Sequence, residues 1–286
     1  MESLRAGRGF ADLSAWRKVV CRGSDARQWL NDLLTAEIVE LRQGQARRAL
    51  LLTPTGRIRA DVTVSVFQDG VLLLQDPAQP QAVHELLDPY VLSSDVELED
   101  RTPSMALVAF PGRAPPAAEE TWTSSPSVLG QGGDVLGPVE ALDDIRARAR
   151  THGLVEVSPE ALEAWRIENG VARFPVDLTP DSLPHEAGLE RDIDPVKGCF
   201  LGQEAVAKVR NLGHPPFLVV PGRAGGPVAP GDAVVAGGDR AGTVTSVASN
   251  AGTETPVLVR IRWAARDALL RTASGIPITR LGEASG

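Results

Sequence analysis

Between residues 16 and 111, apolar runs of strand length alternate with segments of helical period. Residues 16–21 (WRKVVC) form a short β-prone run. Ser24 is placed to cap a helix over 25–34, where Ala26, Trp29, Leu30 and Leu33 recur at helical spacing. Strands are predicted over 46–52, 58–67 and 71–75, joined by the turns Thr53-Pro54-Thr55-Gly56 and Gln68-Asp69-Gly70. A helix over 81–91 and strands over 96–100 and 106–109 follow. That order suggests an α+β unit of the split β-α-β kind.

Residues 111–127, rich in Pro, Ala, Ser and Thr and without a sustained period, read as a loop or linker. Helices are predicted over 139–150 and 159–169. Ser158 is the expected N-cap of the latter, Pro159 its first residue and Gly170 its stop. Residues 174–184 are irregular, and 203–211 is helical, closed by Gly213 and Pro215-Pro216. Beyond Pro216 glycine and proline rise. Short β-runs at 217–220, 233–236, 242–248 and 257–263 predict a small antiparallel barrel. Three successive divisions are expected: 1–110, 111–214 and 215–286.

A chain of 286 residues exceeds the usual single core, which agrees with several subdomains. Residues 1–10 have no apolar stretch that could act as a signal peptide. No run approaches the ~18–20 apolar residues of a membrane span. A cytoplasmic location without membrane association is expected. The two cysteines, Cys21 and Cys199, fit neither a disulfide framework nor a metal site. Nor can two thiols hold an iron–sulfur cluster alone, since clusters take about four. A net charge of −8 argues against a broad nucleic-acid-binding face, so direct contact with nucleic acid is not expected.

The densest chemistry lies in Lys197-Gly198-Cys199-Phe200-Leu201-Gly202-Gln203-Glu204, which mixes a cation, a thiol, an amide, a carboxylate and two glycines. At average residue usage this combination arises by chance below ~10⁻⁸ per starting position. Gly198 and Gly202 would permit backbone geometry or a close approach that a Cβ prevents. Cys199, flanked by Lys197 and near a helix start, is in surroundings that favour thiolate. Its alternative is a small buried hydrophobe, the reading kept for Cys21. Gln203 and Glu204 open a helix, either as plain caps or facing a ligand.

This segment resembles the K-G-C-F/Y-x-G-Q-E signature of the YgfZ family. Those proteins belong to the folate-binding superfamily of the glycine-cleavage T-protein and act in iron–sulfur cluster assembly and tRNA modification. The resemblance implies an α+β cloverleaf of two α/β lobes plus a C-terminal antiparallel β-barrel around a central folate-binding channel. It implies tetrahydrofolate or a derivative as cofactor, iron–sulfur enzymes or assembly proteins as partners, and a monomer. Lys197 would meet the carboxylates of a glutamyl tail.

Further elements carry the same resemblance. Arg166-Ile167-Glu168-Asn169-Gly170 looks like the superfamily's R-[IL]-E-x-G run, whose Glu bonds the amino-pyrimidine edge of the pterin. A carboxylate suits that edge because it accepts two parallel hydrogen bonds. At a helix C-terminus it also faces the unfavourable end of the dipole; a solvated Glu at a frayed end is the alternative. Gly56-Arg57-Ile58-Arg59-Ala60-Asp61 looks like the T-protein segment that ends in an aspartate pair near folate's reactive nitrogen. Ala60 stands in place of one acid, which puts aminomethyl transfer in doubt. A strand Asp61 paired with Arg57 or Arg59 is the alternative. His185-Glu186-Ala187-Gly188-Leu189-Glu190 matches the family's E-A-G-L element, where Glu186 would position backbone or Lys197, or contact the ligand.

Lys208 and Arg210 read as solvated or anion-binding charges, and His214 as a turn residue. Arg47, Arg48, Arg57 and Arg59 form the one dense basic cluster, facing polyglutamate, RNA or solvent. Three readings stand: a folate-binding factor for iron–sulfur enzymes acting through Cys199, a folate-dependent one-carbon transferase or demethylase using Asp61, and a non-catalytic scaffold. The intact signature and the single acid at 61 favour the first.

Overall fold

The computed structural model describes residues 2–68, 70–117, 122–249 and 254–281. The chain starts with α1 (Glu2–Arg5), β1 (Gly9–Asp12), β2 (Arg17–Arg22), α2 (Ala26–Leu33), β3 (Ala46–Leu52), β4 (Ile58–Phe67) and β5 (Gly70–Gln75). It continues through α3 (Val83–Leu87), β6 (Glu97–Asp100), β7 (Met105–Pro111), β8 (Thr123–Pro126), β9 (Gly132–Pro138), α4 (Leu142–Thr151) and β10 (Val155–Glu156). Then come α5 (Pro159–Glu168), α6 (Gln203–Leu212), β11 (Phe217–Ala224), β12 (Ala233–Ala236), β13 (Asp239–Val247), β14 (Thr255–Arg262), β15 (Leu270–Thr272) and β16 (Pro277–Arg280). These elements form two compact units. One comprises Glu2–Val157 with Glu190–Ala205, the other Ser158–Leu189 with Val206–Gly286.

The first unit holds two five-stranded sheets. One has the order β3-β4-β5-β2-β6, all antiparallel. Alternation along β4 sends Ile58, Ala60, Val62 and Val64 to one face. There Ala60, Val62 and Val64 join Ala49 and Leu51 of β3, Trp29 and Leu30 of α2, and Leu86 and Leu87 of α3 in one apolar cluster. Burial of each large side chain contributes about 1.5–3 kcal/mol. The helix before this sheet starts at Ala26, not with Ser24 as its cap. Ser24 gives its N–H and hydroxyl to Asp95 Oδ2 at 2.9 and 2.8 Å. The predicted 81–91 helix is shorter, because Pro89 lacks an amide to donate, and a 3₁₀ turn (Asp88–Tyr90) follows α3.

The second sheet has the order β10-β1-β7-β9-β8. Phe10, Phe110, Val108, Trp122 and Val135 pack with Ile145 and Ala149 of α4. Part of the expected 111–127 loop is strand: β8 pairs β9 as a hairpin. The sequence of β9, GGDVLGP, concealed a strand behind terminal Gly and Pro and a central Asp134. Because β1 pairs both β7 and β10, residues 9–12 complete the sheet formed by 105–156. The boundary expected at 110 therefore falls inside β7.

The second unit carries the barrel, a closed antiparallel ring β11-β14-β13-β12-β15-β16. Val234, Val244, Val257, Val259, Ile261 and Ile278 fill its interior. Strands β15 and β16, of three and four residues, were too short to leave a period in the sequence. Helix α5 starts where its residues dictate: Ser158 Oγ accepts the Ala161 N–H, with Pro159 next. Gly170, at φ +68°, ends it. Ala164 and Ile167 of α5 pack on Ala248 and Leu258. Among the described residues, no helix is long and apolar enough to cross a membrane.

Candidate functional site

In the first unit the structure centres on Asp61. Its side chain is 13% exposed and leaves β4 on the face opposite the apolar cluster. Arg48 of β3 grips it through two parallel bonds, Nε to Oδ1 at 2.9 Å and Nη2 to Oδ2 at 2.5 Å. In the alternative reading of the sequence its partner is Arg57 or Arg59. Cross-strand register decides otherwise: Leu50 lies opposite Asp61, and Arg48, two residues along on the same face, reaches it diagonally. Burial alone would lower the Arg48 pKa, but the charges of Asp61 and Asp192 raise it overall.

The backbone at Asp61 is held as well. Gln79 donates to the Asp61 carbonyl at 2.6 Å and accepts the Asp61 N–H at 3.0 Å. Gln75 donates to Gln79 at 3.1 Å, and Arg17 donates to Gln75 at 3.2 Å. This amide relay gave no sequence signal, since glutamines near a turn look solvated. Ala60 is fully buried in the apolar cluster. An acid there would point into the core, away from Asp61.

The signature segment returns to this unit and is strapped to the chain after α2. Asp194 Oδ1 accepts the N–H groups of Val196 and Lys197 at 2.9 and 3.1 Å. Lys197, 7% exposed, donates its ammonium protons to the carbonyls of Asn31, Leu34 (2.6 Å) and Ala36 (2.9 Å). Burial lowers its pKa to about 8, although Glu37, Asp32 and Asp194 pull the other way. Lys197 is thus a structural clamp, and its placement does not match the expected role toward a glutamyl tail. Its cation is turned into the protein toward those carbonyls, whereas Cys199 is exposed.

Gly202 does make the close approach expected of it. At φ +87°, a Cβ on it would lie 2.6 Å from the Thr53 carbonyl oxygen of the turn before β4. Gly198 does not: nothing lies within 4 Å of its would-be Cβ. Gln203 and Glu204 open α6, with Glu204 exposed in its first turn. Cys21 is buried in the core, which pushes its thiol up to about 12.

The second unit places Glu168 at the last position of α5, half-buried. Glu186 is 1% exposed. Its Oε1 accepts the Leu183 N–H at 3.2 Å, and Oε2 accepts Arg260 Nε and Nη2 at 2.9 and 2.7 Å. Glu186 therefore positions backbone, as one of its expected roles had it, but its cation is Arg260 of the barrel rather than Lys197. Arg260 also stacks on Phe217 at 3.9 Å. His214 Nδ1 donates to Pro215 O (3.1 Å), and the ring stacks on Trp263 at 4.8 Å. Lys208, Arg210 and Arg47 are exposed. Among the described residues, no group of three or more His, Cys, Asp or Glu could hold a metal ion.

Each unit thus presents a carboxylate, Asp61 held by Arg48 in one and Glu168 at the end of α5 in the other. Residues 1–124 match the family described as the GCVT N-terminal domain. The chain is similar to an aminomethyltransferase of Rubrobacter xylanophilus, 29% identical over 91% of this chain and 76% of that protein. A putative chloroplastic transferase of Arabidopsis thaliana is 23% identical over 82% of this chain and 60% of its own length. In fold, the chain is similar to the glycine cleavage system aminomethyltransferase T of Bartonella henselae. The TM-score is 0.82 at 17% identity, covering 99% of this chain and 88% of that one. Residues 1–124 are thus similar to the GCVT N-terminal domain, and the fold of the chain is similar to that of the Bartonella henselae protein.

Proposed function

We propose that this protein binds a reduced folate and supports assembly or repair of iron–sulfur enzymes, including those that modify tRNA, with Cys199 as its working thiol. The observation that carries the reading is how the signature is presented. Lys197 is buried and clamped, Gly202 is wedged against the Thr53 turn, and Cys199 between them is open to solvent. A thiol held on a fixed loop is available to a client protein.

The donor set suits tetrahydrofolate or a derivative. Glu168 is a carboxylate able to accept paired N–H donors, and Asp61 is an anion held still by Arg48. Bound folate supplies nitrogen atoms that carry one-carbon units; each carboxylate, within its own unit, would accept N–H donors of such a group. Partners are iron–sulfur enzymes or their assembly proteins, met by a monomer in the cytoplasm. The acidic net charge of −8 supports contact with protein over nucleic acid.

Calorimetry with tetrahydrofolate tests the binding. Loss of one partner of a charge-assisted pair costs on the order of 1.5–3 kcal/mol, so Glu168→Gln should weaken binding about tenfold or more. Equal affinities would remove Glu168 from the site. The role of Cys199 is tested by complementing a strain that lacks its own counterpart of this protein. Cys199→Ser should fold and bind folate yet fail to restore iron–sulfur enzyme activity; full restoration would falsify the thiol role.

A second reading, folate-dependent one-carbon transfer, is favoured by the aminomethyltransferase similarities. Formation of methylene-tetrahydrofolate from an aminomethyl carrier protein would support it. We expect none, since Asp61 stands without a neighbouring acid on its own strand.

A further inference from the structure

The Arg48–Asp61 pair has a third charged neighbour that arrives from a distant part of the chain. Thr35, fully buried, organises the approach. Its hydroxyl accepts the Leu50 N–H at 2.9 Å and donates to the Asp192 carbonyl at 3.2 Å. The Thr35 carbonyl accepts the Asp194 N–H at 3.0 Å. Leu50 is the residue directly opposite Asp61 in the β3–β4 register. The tie that holds residues 192–194 is therefore anchored at the strand position facing Asp61.

The charges register this proximity. The Asp192 carboxyl is raised above the ordinary range, first by burial and further by Asp61 and Glu190, while Arg48 and Arg191 oppose the rise. Arg48 in turn feels both Asp61 and Asp192. The Arg48 guanidinium, bonded to Asp61, thus also lies within electrostatic reach of Asp192. With both ionised the trio carries a formal charge of −1, and with Asp192 protonated it carries none; Glu190 and Arg191 cancel each other.

We propose that Asp192 is a positioning residue for the Arg48–Asp61 pair: it competes with Asp61 for the one guanidinium and so sets whether the site offers net negative charge to a nitrogen-bearing, N–H-donating ligand group. The tie through Thr35 brings a second acidic residue toward Asp61 from outside its strand, where an acid at position 60 would face the core. The identity of the ligand group, a nitrogen of reduced folate, rests on the proposed function; the coupling of Asp192 to Asp61 does not. As pH falls, Asp192 takes up a proton, Arg48 is left to Asp61 alone, and the attraction for an N–H donor weakens.

Two measurements on the full chain test this. The first is an NMR titration with carboxyl-labelled aspartate, free of ligand. The resonance missing in Asp192→Asn and in Asp192→Glu should titrate above the ordinary aspartate range and move back toward it in Asp61→Asn. An ordinary titration, or one indifferent to Asp61→Asn, overturns the proposal. The second is tetrahydrofolate affinity between pH 5.5 and 8. The wild type should lose several-fold in affinity toward low pH, Asp192→Glu should keep that dependence, and Asp192→Asn should show a flat profile at the weaker level. A wild-type profile repeated in Asp192→Asn overturns the proposal. If the wild type binds no tetrahydrofolate, the folate reading falls and the NMR titration alone decides the coupling.

Discussion

Arg166 and Asp177 form an ion pair sealed inside the barrel-bearing unit, Nη1 to Oδ2 at 2.7 Å, with side chains 7% and 0% exposed. Around it, Thr245 and Ser246 of β13 donate hydroxyls to Asp177 Oδ1 at 2.5 and 2.7 Å, and the Arg173 N–H reaches Oδ2 at 3.0 Å. Glu163 adds a second carboxylate to Arg166 at 2.6 Å. Burial opposes the charge on Arg166, but Glu163 and Asp177 outweigh it and raise its pKa. The pair ties α5, whose last residue is Glu168, to the barrel wall.

Removing Asp177 leaves buried donors without an acceptor, so Asp177→Ala should cost about 3–5 kcal/mol. Urea unfolding measures it. A loss below about 1 kcal/mol would mean that the pocket rehydrates and that the pair is dispensable to the unit.

Lys197 predicts a rise of stability with pH. Its pKa is about 8 in the fold against 10.5 when free, so between these values the unfolded chain binds more protons. Stability from this group is fully present above about 10.5 and lost as pH falls through 8. The shift corresponds to up to about 3 kcal/mol. Lys18, also lowered to about 8 by burial, adds a rise of the same sign. In Lys197→Met the contribution of Lys197 is gone, so the stability difference between wild type and variant should grow from pH 7.5 to 10. A constant difference over that range would refute the assignment.

Asp134 predicts the opposite slope. Fully buried in β9, it is pushed up to about 7 by desolvation, against bonds from the Val128 N–H (2.8 Å) and the Ser127 hydroxyl (2.7 Å). Between 3.8 and 7 the native state holds the extra proton, so this group's stabilisation is complete below about 4 and lost as pH rises through 7. Asn preserves the shape without the charge: its oxygen accepts the Val128 N–H, and its NH2 donates to the Ser127 hydroxyl, which turns from donor to acceptor. Asp134→Asn should therefore raise stability at pH 8 by on the order of 2 kcal/mol, with the gain shrinking toward pH 4. Thermal melts at several pH values check this.

The two glycines of the signature should respond differently. Gly202→Ala puts a Cβ 2.6 Å from the Thr53 oxygen at φ +87° and should cost about 1–3 kcal/mol, a fall of several degrees in Tm. Gly198→Ala meets open space and should stay within about 0.5 kcal/mol of wild type. Equal melting temperatures for the two variants would show that the signature is not seated on the Thr53 turn.

What the sequence determined by itself is what neighbouring residues decide. Ser158, Pro159 and Gly170 delimit α5 through a cap, a fixed φ and a left-handed turn, each within one helical turn of its effect. Alternation at Ile58, Ala60, Val62 and Val64 sets the buried face of β4, and the glycine-spaced β-runs after Pro216 foretell the barrel. The tertiary structure alone decided who meets whom. Asp61 pairs with Arg48 instead of its neighbours in sequence because register across β3–β4 brings them together. Lys197 is a clamp because the carbonyls left over at the end of α2 need donors and lie over 160 residues back along the chain. Thr35 brings Asp192 to the strand position facing Asp61, and β9 is a strand because its partners β7 and β8 satisfy its backbone. Local propensities act within a few residues of the chain, whereas hydrogen-bond and charge satisfaction in a desolvated interior is settled by whichever group the fold brings within about 3 Å.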